Sequence, residues 1–288
     1  MRFFYTIFFA AFCFVASSYQ AMAQIQGNPK LYRIHCGEIQ VTNLDVFSDT
    51  HQYKGQTKDL VVSCYLINVG SNWLLWDTGL PSEIAEKEDG LVNGPFHLKI
   101  PVTLREQLGA IGLMPEDITH VGLSHAHFDH AGNTNMFTNA KLIIQQAEYD
   151  FLTKHEEEAG SYHMNASSIE YFLQEDKKDQ LQIIKGDHDI FGDGRVRTIS
   201  LPGHTPGHMA LYVDLVNTGP VILSGDQWHF IENRLSNGVP SFNYQRADTL
   251  ASSDRLNRLI KNTGAKLIIQ HEPKHSVDVF PALPEFLD

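Results

Sequence analysis

Residues 124–132 read Ser124-His125-Ala126-His127-Phe128-Asp129-His130-Ala131-Gly132, so three histidines and an aspartate fall within six positions. Neutral imidazole is a common zinc ligand and aspartate adds an anionic oxygen, so the pattern HxHxDH concentrates metal donors at one point. Residues i and i+2 do not share a helix face, so this density predicts a loop wrapped around a centre. The apolar Ile118, Val121 and Leu123 before it read as a buried strand, and Gly132-Asn133 as the turn out. A solvated histidine-rich loop is the plain alternative, and the further donors downstream argue against it.

Pro202-Gly203-His204-Thr205-Pro206-Gly207-His208 sets His204 among turn-forming residues at the end of a strand over 197–201. His204 is therefore a third ligand for a first metal, and His208 a supporting or structural histidine. Leu223-Ser224-Gly225-Asp226 is an apolar strand ending in a carboxylate, alone more often a cap or turn residue. Ile268-Ile269-Gln270-His271-Glu272 is a strand ending in histidine, alone as readily structural as functional. Together, the four elements predict a two-metal site.

The chain has 288 residues, 42% hydrophobic and 19% charged, which is ordinary for a globular protein with a substantial core. Its net charge of −12 argues against nucleic acid or an anionic membrane surface as the main partner and is compatible with a small-molecule substrate. Arg2, an apolar run over 3–15 and Ala21-Met22-Ala23 read as a signal peptide over residues 1–23. The expectation is an exported protein, periplasmic or secreted, with no stable membrane association after cleavage; an uncleaved anchor is the alternative. Removing the leader leaves Cys36 and Cys64, which permit one disulfide or two buried thiols. Neither has zinc-finger spacing.

The mature chain, 24–288, reads as a single hydrolase domain of alternating β-rich and helical stretches. Strands are expected over 31–36, 61–69, 73–76, 119–123, 141–145, 181–184, 196–201, 209–213, 221–223 and, last, 266–269. Helices are expected from Thr103 to about 113, over 166–174, and, as the last one, from about 249 to 262; residues 81–101 read as irregular. This alternation suggests two similar halves, α/β in class, with sheets inside and helices outside. The candidate metal residues fall where strands end.

The order Asp77-Thr78-Gly79, HxHxDH, His204, Asp226, His271 resembles the motif series of the metallo-β-lactamase superfamily over nearly the whole mature chain. The resemblance implies an αββα sandwich of two β-sheets flanked by helices. It also implies that His125, His127 and His204 bind one metal, that Asp129, His130 and His271 bind another, and that Asp226 bridges them. Within the superfamily the chain is most similar to the N-acyl homoserine lactonases, through SHxHxDHAGN, GHTPGH, SGD and the strand-end histidine before Glu272. Many of these carry a tyrosine three residues after the bridging aspartate; here that position is His229. Histidine can also donate to a substrate carbonyl, or simply pack beside Trp228 and Phe230.

The expected reaction is therefore opening of a lactone ring by attack of a metal-bridging hydroxide. His229 would stabilise the oxyanion and Asp129 would protonate the leaving oxygen. Two divalent ions are expected per chain, with zinc preferred and iron, manganese or cobalt also compatible with the donors. Asp77 would orient a ligand histidine, or be a simple turn. Trp228, Phe230, Phe242 and Phe96 are candidates for the acyl-chain wall, though core packing is the default for any one of them. The alternatives are a phosphotriesterase- or arylesterase-like hydrolase and an exported metal-binding protein without turnover. Monomer or homodimer is left open.

Overall fold

In the computed structural model, which describes residues 27–288, the strand Met209–Leu215 displays the layering of the fold. Met209, Leu211 and Val213 enter one buried cluster, while Ala210 and Tyr212 enter another. Successive strand side chains point to opposite faces, so a strand apolar on both faces must lie between two layers. The leader assigned to residues 1–23 lies outside the described residues.

The first sheet contains β1 (Lys30–Val41), β2 (Lys58–Val69), β3 (Asn72–Trp76), β4 (Leu91–Asn93), β5 (Phe96–Lys99), β6 (His120–Gly122), β7 (Lys141–Gln145) and β8 (Leu181–Ile184). Its order is β4-β5-β1-β2-β3-β6-β7-β8. The second contains β9 (His188–Asp189), β10 (Val196–Ser200), β11 (Met209–Leu215), β12 (Gly219–Leu223) and β13 (Lys266–Ile268), in the order β13-β12-β11-β10-β9. Both sheets are mixed: β3, β6, β7 and β8 run parallel in sequence, as do β12 and β13, and the other pairs are antiparallel. Tyr65, Leu74 and Trp76 from the first sheet and Val213, Val221 and Leu223 from the second share the core between them.

The outer face of the first sheet packs with α1 (Leu104–Ala110), α2 (Phe128–Ala131), α3 (Gln146–Lys154), α4 (Glu156–Ser161) and α5 (Glu170–Leu173). The second sheet is followed by α6 (Ile231–Ser236), α7 (Arg246–Thr263) and α8 (Pro273–Asp278), and Leu256 of α7 joins the cluster on its outer face. The architecture is the expected αββα sandwich. Thr103 does cap α1, in a capping box with Glu106.

Several expectations need correcting. Residues 81–101 are not irregular throughout: β4 and β5 form a hairpin that extends the sheet edge beside β1. The stretch 166–174 divides into a 3-10 turn, Ala166–Ile169, and α5. Five helices, α2, α3, α4, α6 and α8, went unpredicted. In α3 the inward face carries Glu148 with Phe151 and Leu152, so a charged residue interrupts the apolar stripe. The short α8 follows β13, so α7 is not the last helix. Cys36 and Cys64 are joined in a disulfide between β1 and β2, with Cα atoms 5.8 Å apart, which decides between one disulfide and two thiols.

Strand direction gathers the site. The parallel β3 and β6 deliver Asp77 and His125 just beyond their C-terminal ends. In the second sheet β10, β12 and β13 point the same way and deliver His204, Asp226 and His271. Candidate ligands from four separate segments, with Asp77 behind them, meet at one edge of the sandwich.

Candidate metal centre

HxHxDH is not wholly a loop. His127 caps α2, and its carbonyl accepts from the backbone N–H of His130 at 3.0 Å and of Ala131 at 2.9 Å, so Asp129 and His130 occupy a single helical turn. His125 Nε2 lies 2.9 Å from His127 Nδ1, and His204 Nε2 lies 3.1 Å from that same nitrogen. Asp226 Oδ2 joins them, 3.7 Å from His125 Nε2 and 3.4 Å from His204 Nε2. In a second group, His130 Nε2 and His271 Nε2 are 3.2 Å apart, and Asp129 Oδ2 is 3.8 Å and 3.7 Å from them. Asp226 Oδ1 completes this group at 3.2 Å and 3.0 Å from the same two nitrogens. One carboxylate turns one oxygen to each group.

The hydrogen bonds behind the rings fix where their protons sit. His130 Nδ1 is 2.9 Å from Asp77 Oδ2. Asp77 also accepts from Ser124 N at 2.6 Å, Ser124 Oγ at 2.8 Å and Gln270 Nε2 at 2.6 Å. The Ser124 hydroxyl hydrogen is thus used on Asp77, so its oxygen accepts from His125 Nδ1 at 3.0 Å. His271 Nδ1 donates to the Val61 carbonyl at 2.8 Å. In the neutral form of each of these three rings the far nitrogen carries the proton and Nε2 presents a lone pair. Lone pairs 3.2 Å apart, as on His130 and His271, repel each other and become favourable as ligands of a cation. The donor chemistry therefore fits divalent metal ions.

The electrostatics agree. Burial disfavours charge on Asp226, yet His130, His271, His229 and His125 hold its pKa well below the usual carboxylate range. Burial likewise opposes a charge on His130, but Asp226, Asp129 and Asp77 raise its pKa well above the ordinary imidazole value. His125 and His127 are lowered well below it, chiefly by burial and then by the neighbouring rings. The aspartates thus draw positive charge onto His130 and His271, whose pKa is also raised, while His125 and His127 stay neutral.

His208 stands behind Asp226. Its Nδ1 donates to the Leu201 carbonyl at 2.9 Å and its Nε2 accepts from the Asp226 N–H at 2.9 Å, so it holds the backbone of the shared carboxylate. Burial pushes its pKa down to about 3. His229 Nε2 lies 3.1 Å from Asp226 Oδ2 without hydrogen-bond alignment, and its Nδ1 has no hydrogen-bond partner among the described residues. Its ring lies parallel to that of His271, centroids 5.8 Å apart, and contacts Phe47 at 4.7 Å. Burial lowers its pKa to about 4, so it is neutral at neutral pH.

A cavity opens over these groups, floored by His127, Asp129, Asp226, His229 and His271. Phe96 and Phe242 line it, as the sequence suggested. Trp228 and Phe230 do not. Trp228 is buried in the cluster on the outer face of the second sheet, and Phe230 packs between Phe47 and Tyr53. Proximity in sequence to Asp226 misleads here, because the chain turns both rings into the core. The wall residues missed from the sequence are Phe47, Ile39, Leu60, Phe128 and His163. Those from β1, β2 and the 3-10 turn Leu44–Phe47 reach the site only through the fold.

Glu148 was also missed. It is 1% exposed, and its carboxylate accepts from Ala126, Thr205 and Gly207 in the two loops that carry the first histidine group. Burial raises its pKa to about 7. The only sequence signal is a glutamate at an inward helical position.

These donors, on the edge of this sandwich, define the class: the chain belongs to the metallo-beta-lactamase superfamily, which it matches over residues 57–271. Within it the chain is similar to N-acyl homoserine lactonases. One from Bacillus sp is 32% identical over 88% of this chain and 97% of that protein. The N-acyl homoserine lactonase AiiA of Bacillus thuringiensis subsp. kurstaki is 31% identical over 88% and 97%. A solved N-acyl homoserine lactone hydrolase, with the product N-hexanoyl-L-homoserine bound at its catalytic metal center, superposes with a TM-score of 0.73. It shares 25% identity and covers 91% of this chain and 100% of that one.

Proposed function

We propose that the chain is a metal-dependent hydrolase that opens the lactone ring of N-acyl homoserine lactones, and so removes quorum signals. The observation that carries this is Asp226, with one oxygen on each donor group, at the floor of a cavity walled by Phe47, Phe96 and Phe242. His125, His127 and His204 with Asp226, and Asp129, His130 and His271 with Asp226, would hold two divalent ions. Bound there, such ions supply the Lewis acidity that polarises an ester carbonyl and activates water at neutral pH. Zinc is the metal we propose, as an ion suited to mixed imidazole and carboxylate donors.

The chain's own residues do the remainder. Asp77 and Ser124 keep the ligand rings in their lone-pair-inward tautomers. His229, neutral and on the cavity floor, is placed to donate a hydrogen bond from a ring nitrogen to the carbonyl oxygen as charge builds on it. Asp129, which reaches the cavity, is placed to pass a proton to the ring oxygen as the carbon–oxygen bond breaks. Phe47, Phe96, Phe242, Ile39 and Leu60 would cover the acyl chain. Water is consumed, and a carboxylate and a hydroxyl are produced.

We further propose that the chain is exported. Its leader-like residues 1–23 and the Cys36–Cys64 disulfide support an oxidising compartment, and no helix among the described residues is long and apolar enough to cross a membrane.

The test of the activity is kcat/KM of the zinc-loaded protein on N-hexanoyl homoserine lactone, a paraoxon-type phosphotriester and a penicillin. The lactone should be the best substrate by a wide margin. A phosphotriester that outperformed it would assign the site to phosphoryl transfer instead.

A further inference from the structure

Glu148 lies in the first turn of α3, buried, with three neutral donors on its two oxygens. Oε1 accepts from Ala126 N at 2.8 Å; Oε2 accepts from Thr205 Oγ1 and from Gly207 N, each at 2.8 Å. Burying a carboxylate is costly unless hydrogen bonds replace its water, and here they come from two places only. Ala126 sits between His125 and His127. Thr205 and Gly207 follow His204. One carboxylate therefore ties the turn that carries two donors of the first group to the turn that carries the third.

The contact is built closely on both sides. A Cβ on Gly207 would collide with the backbone nitrogen and Cβ of Glu148, so only glycine lets this turn rest directly on the start of α3. The second group is braced by different residues: His130 by Asp77, and His271 by the Val61 carbonyl. Asp77 also reaches His125 through the Ser124 hydroxyl, whereas the hydrogen bonds of Glu148 go to the turns of the first group alone.

We infer that Glu148 is the positioning residue of the first group, clamping its two turns so that His125, His127 and His204 converge. This rests on the metal-site reading under Proposed function. Glu148 touches neither substrate nor metal; it acts through the backbone of the loops it joins.

The test uses the full mature chain and the variants Glu148→Gln and Thr205→Val, with zinc titrated against a chromophoric chelator and cobalt(II) binding read by visible absorption. Glutamine keeps the size of the side chain but sets an NH₂ where Gly207 N–H needs an acceptor. In Glu148→Gln one ion should bind as in wild type and the other about 10–100-fold more weakly, the range found when outer support of a metal ligand is lost. The cobalt spectrum that survives should match that of His204→Ala and differ from that of His271→Ala. Turnover should fall with KM little changed. Thr205→Val removes one of the three bonds and should shift the same ion by less; it also decides the matter if Glu148→Gln does not fold. Two ions bound with wild-type affinity in the folded variant, or equal weakening of both, would overturn the inference. Wild-type protein that binds no ion would overturn the metal reading and this inference with it.

Discussion

Asp77 Oδ2 lies 2.9 Å from His130 Nδ1 across 53 positions of sequence, and that contact sets which nitrogen of His130 is bare. Asp77 has a left-handed backbone, φ 59°, and its own N–H donates to the Gly122 carbonyl at 2.8 Å. The strand end is thus pinned so that the carboxylate points at a ligand ring. Aspartate tolerates this backbone region better than most residues.

Asp77→Asn leaves the shape and reverses the proton logic. The amide NH₂ would face His130 Nδ1, favouring the tautomer with its proton on Nε2, where a ligand lone pair is needed. Activity and zinc affinity should each fall by about 10–100-fold. Chelator competition on the purified variant checks this; unchanged affinity would make Asp77 a turn residue only.

Asp226 and His229 are three residues apart and should separate binding from turnover. Asp226→Ala removes the shared carboxylate and should lower metal occupancy and abolish nearly all activity. His229→Ala should keep both ions and lose at least about 10-fold in kcat, against about 10²–10³ for loss of an oxyanion donor elsewhere. His229→Tyr should restore part of it, since a phenol also donates. Normal kinetics in His229→Ala, with full metal content, would leave His229 as packing between Phe47 and His271.

The Cys36–Cys64 bond closes a separation of 28 residues, for which chain entropy predicts a contribution of about 3–4 kcal/mol. It also lies under the Asp77–Gly79 turn. Gly79 has φ 73°, and a Cβ there would collide with Cys36. Reduction, or Cys64→Ala, should lower Tm clearly, and calorimetry with and without reductant measures it. An unchanged Tm would contradict a formed disulfide.

His120, in β6, supplies a pH dependence away from the donor groups. Burial, with Lys141 nearby, lowers its folded pKa to about 4 from 6.5. The unfolded chain then binds a proton below about pH 6.5 that the folded chain refuses until about pH 4. His120 therefore costs no stability above pH 6.5, and stability is lost as pH falls through that window. Urea midpoints from pH 7 to 4 should fall less steeply in His120→Gln than in wild type. Parallel slopes would sink the assignment.

Much of this was legible in the sequence, for physical reasons that differ by element. HxHxDH, His204, Asp226 and His271 stand at the ends of apolar strands, and a strand buried on both faces reads as a short continuous apolar run. The helical turn Phe128–Ala131 escaped because donor spacing alone cannot show that the last four residues close on the His127 carbonyl. Glu148 was hidden for a related reason. A buried carboxylate is legible only once its three donors, up to 59 residues away, are brought to it. The cavity wall failed most clearly: Trp228 and Phe230 are near Asp226 in sequence but point into the core, whereas Phe47 and Leu60 are remote and line the site. A wall assembled from different strands has no local signature.

The most direct measurement is the mass of the product formed from N-hexanoyl homoserine lactone by the zinc-loaded chain, before and after metal removal. One product is expected, N-hexanoyl homoserine, heavier than the lactone by one water. It should form at neutral pH, be lost on chelation and return with zinc. Hexanoate with intact homoserine lactone, or ring opening that persists after every ion has been removed, would contradict metal-dependent lactone hydrolysis at this site.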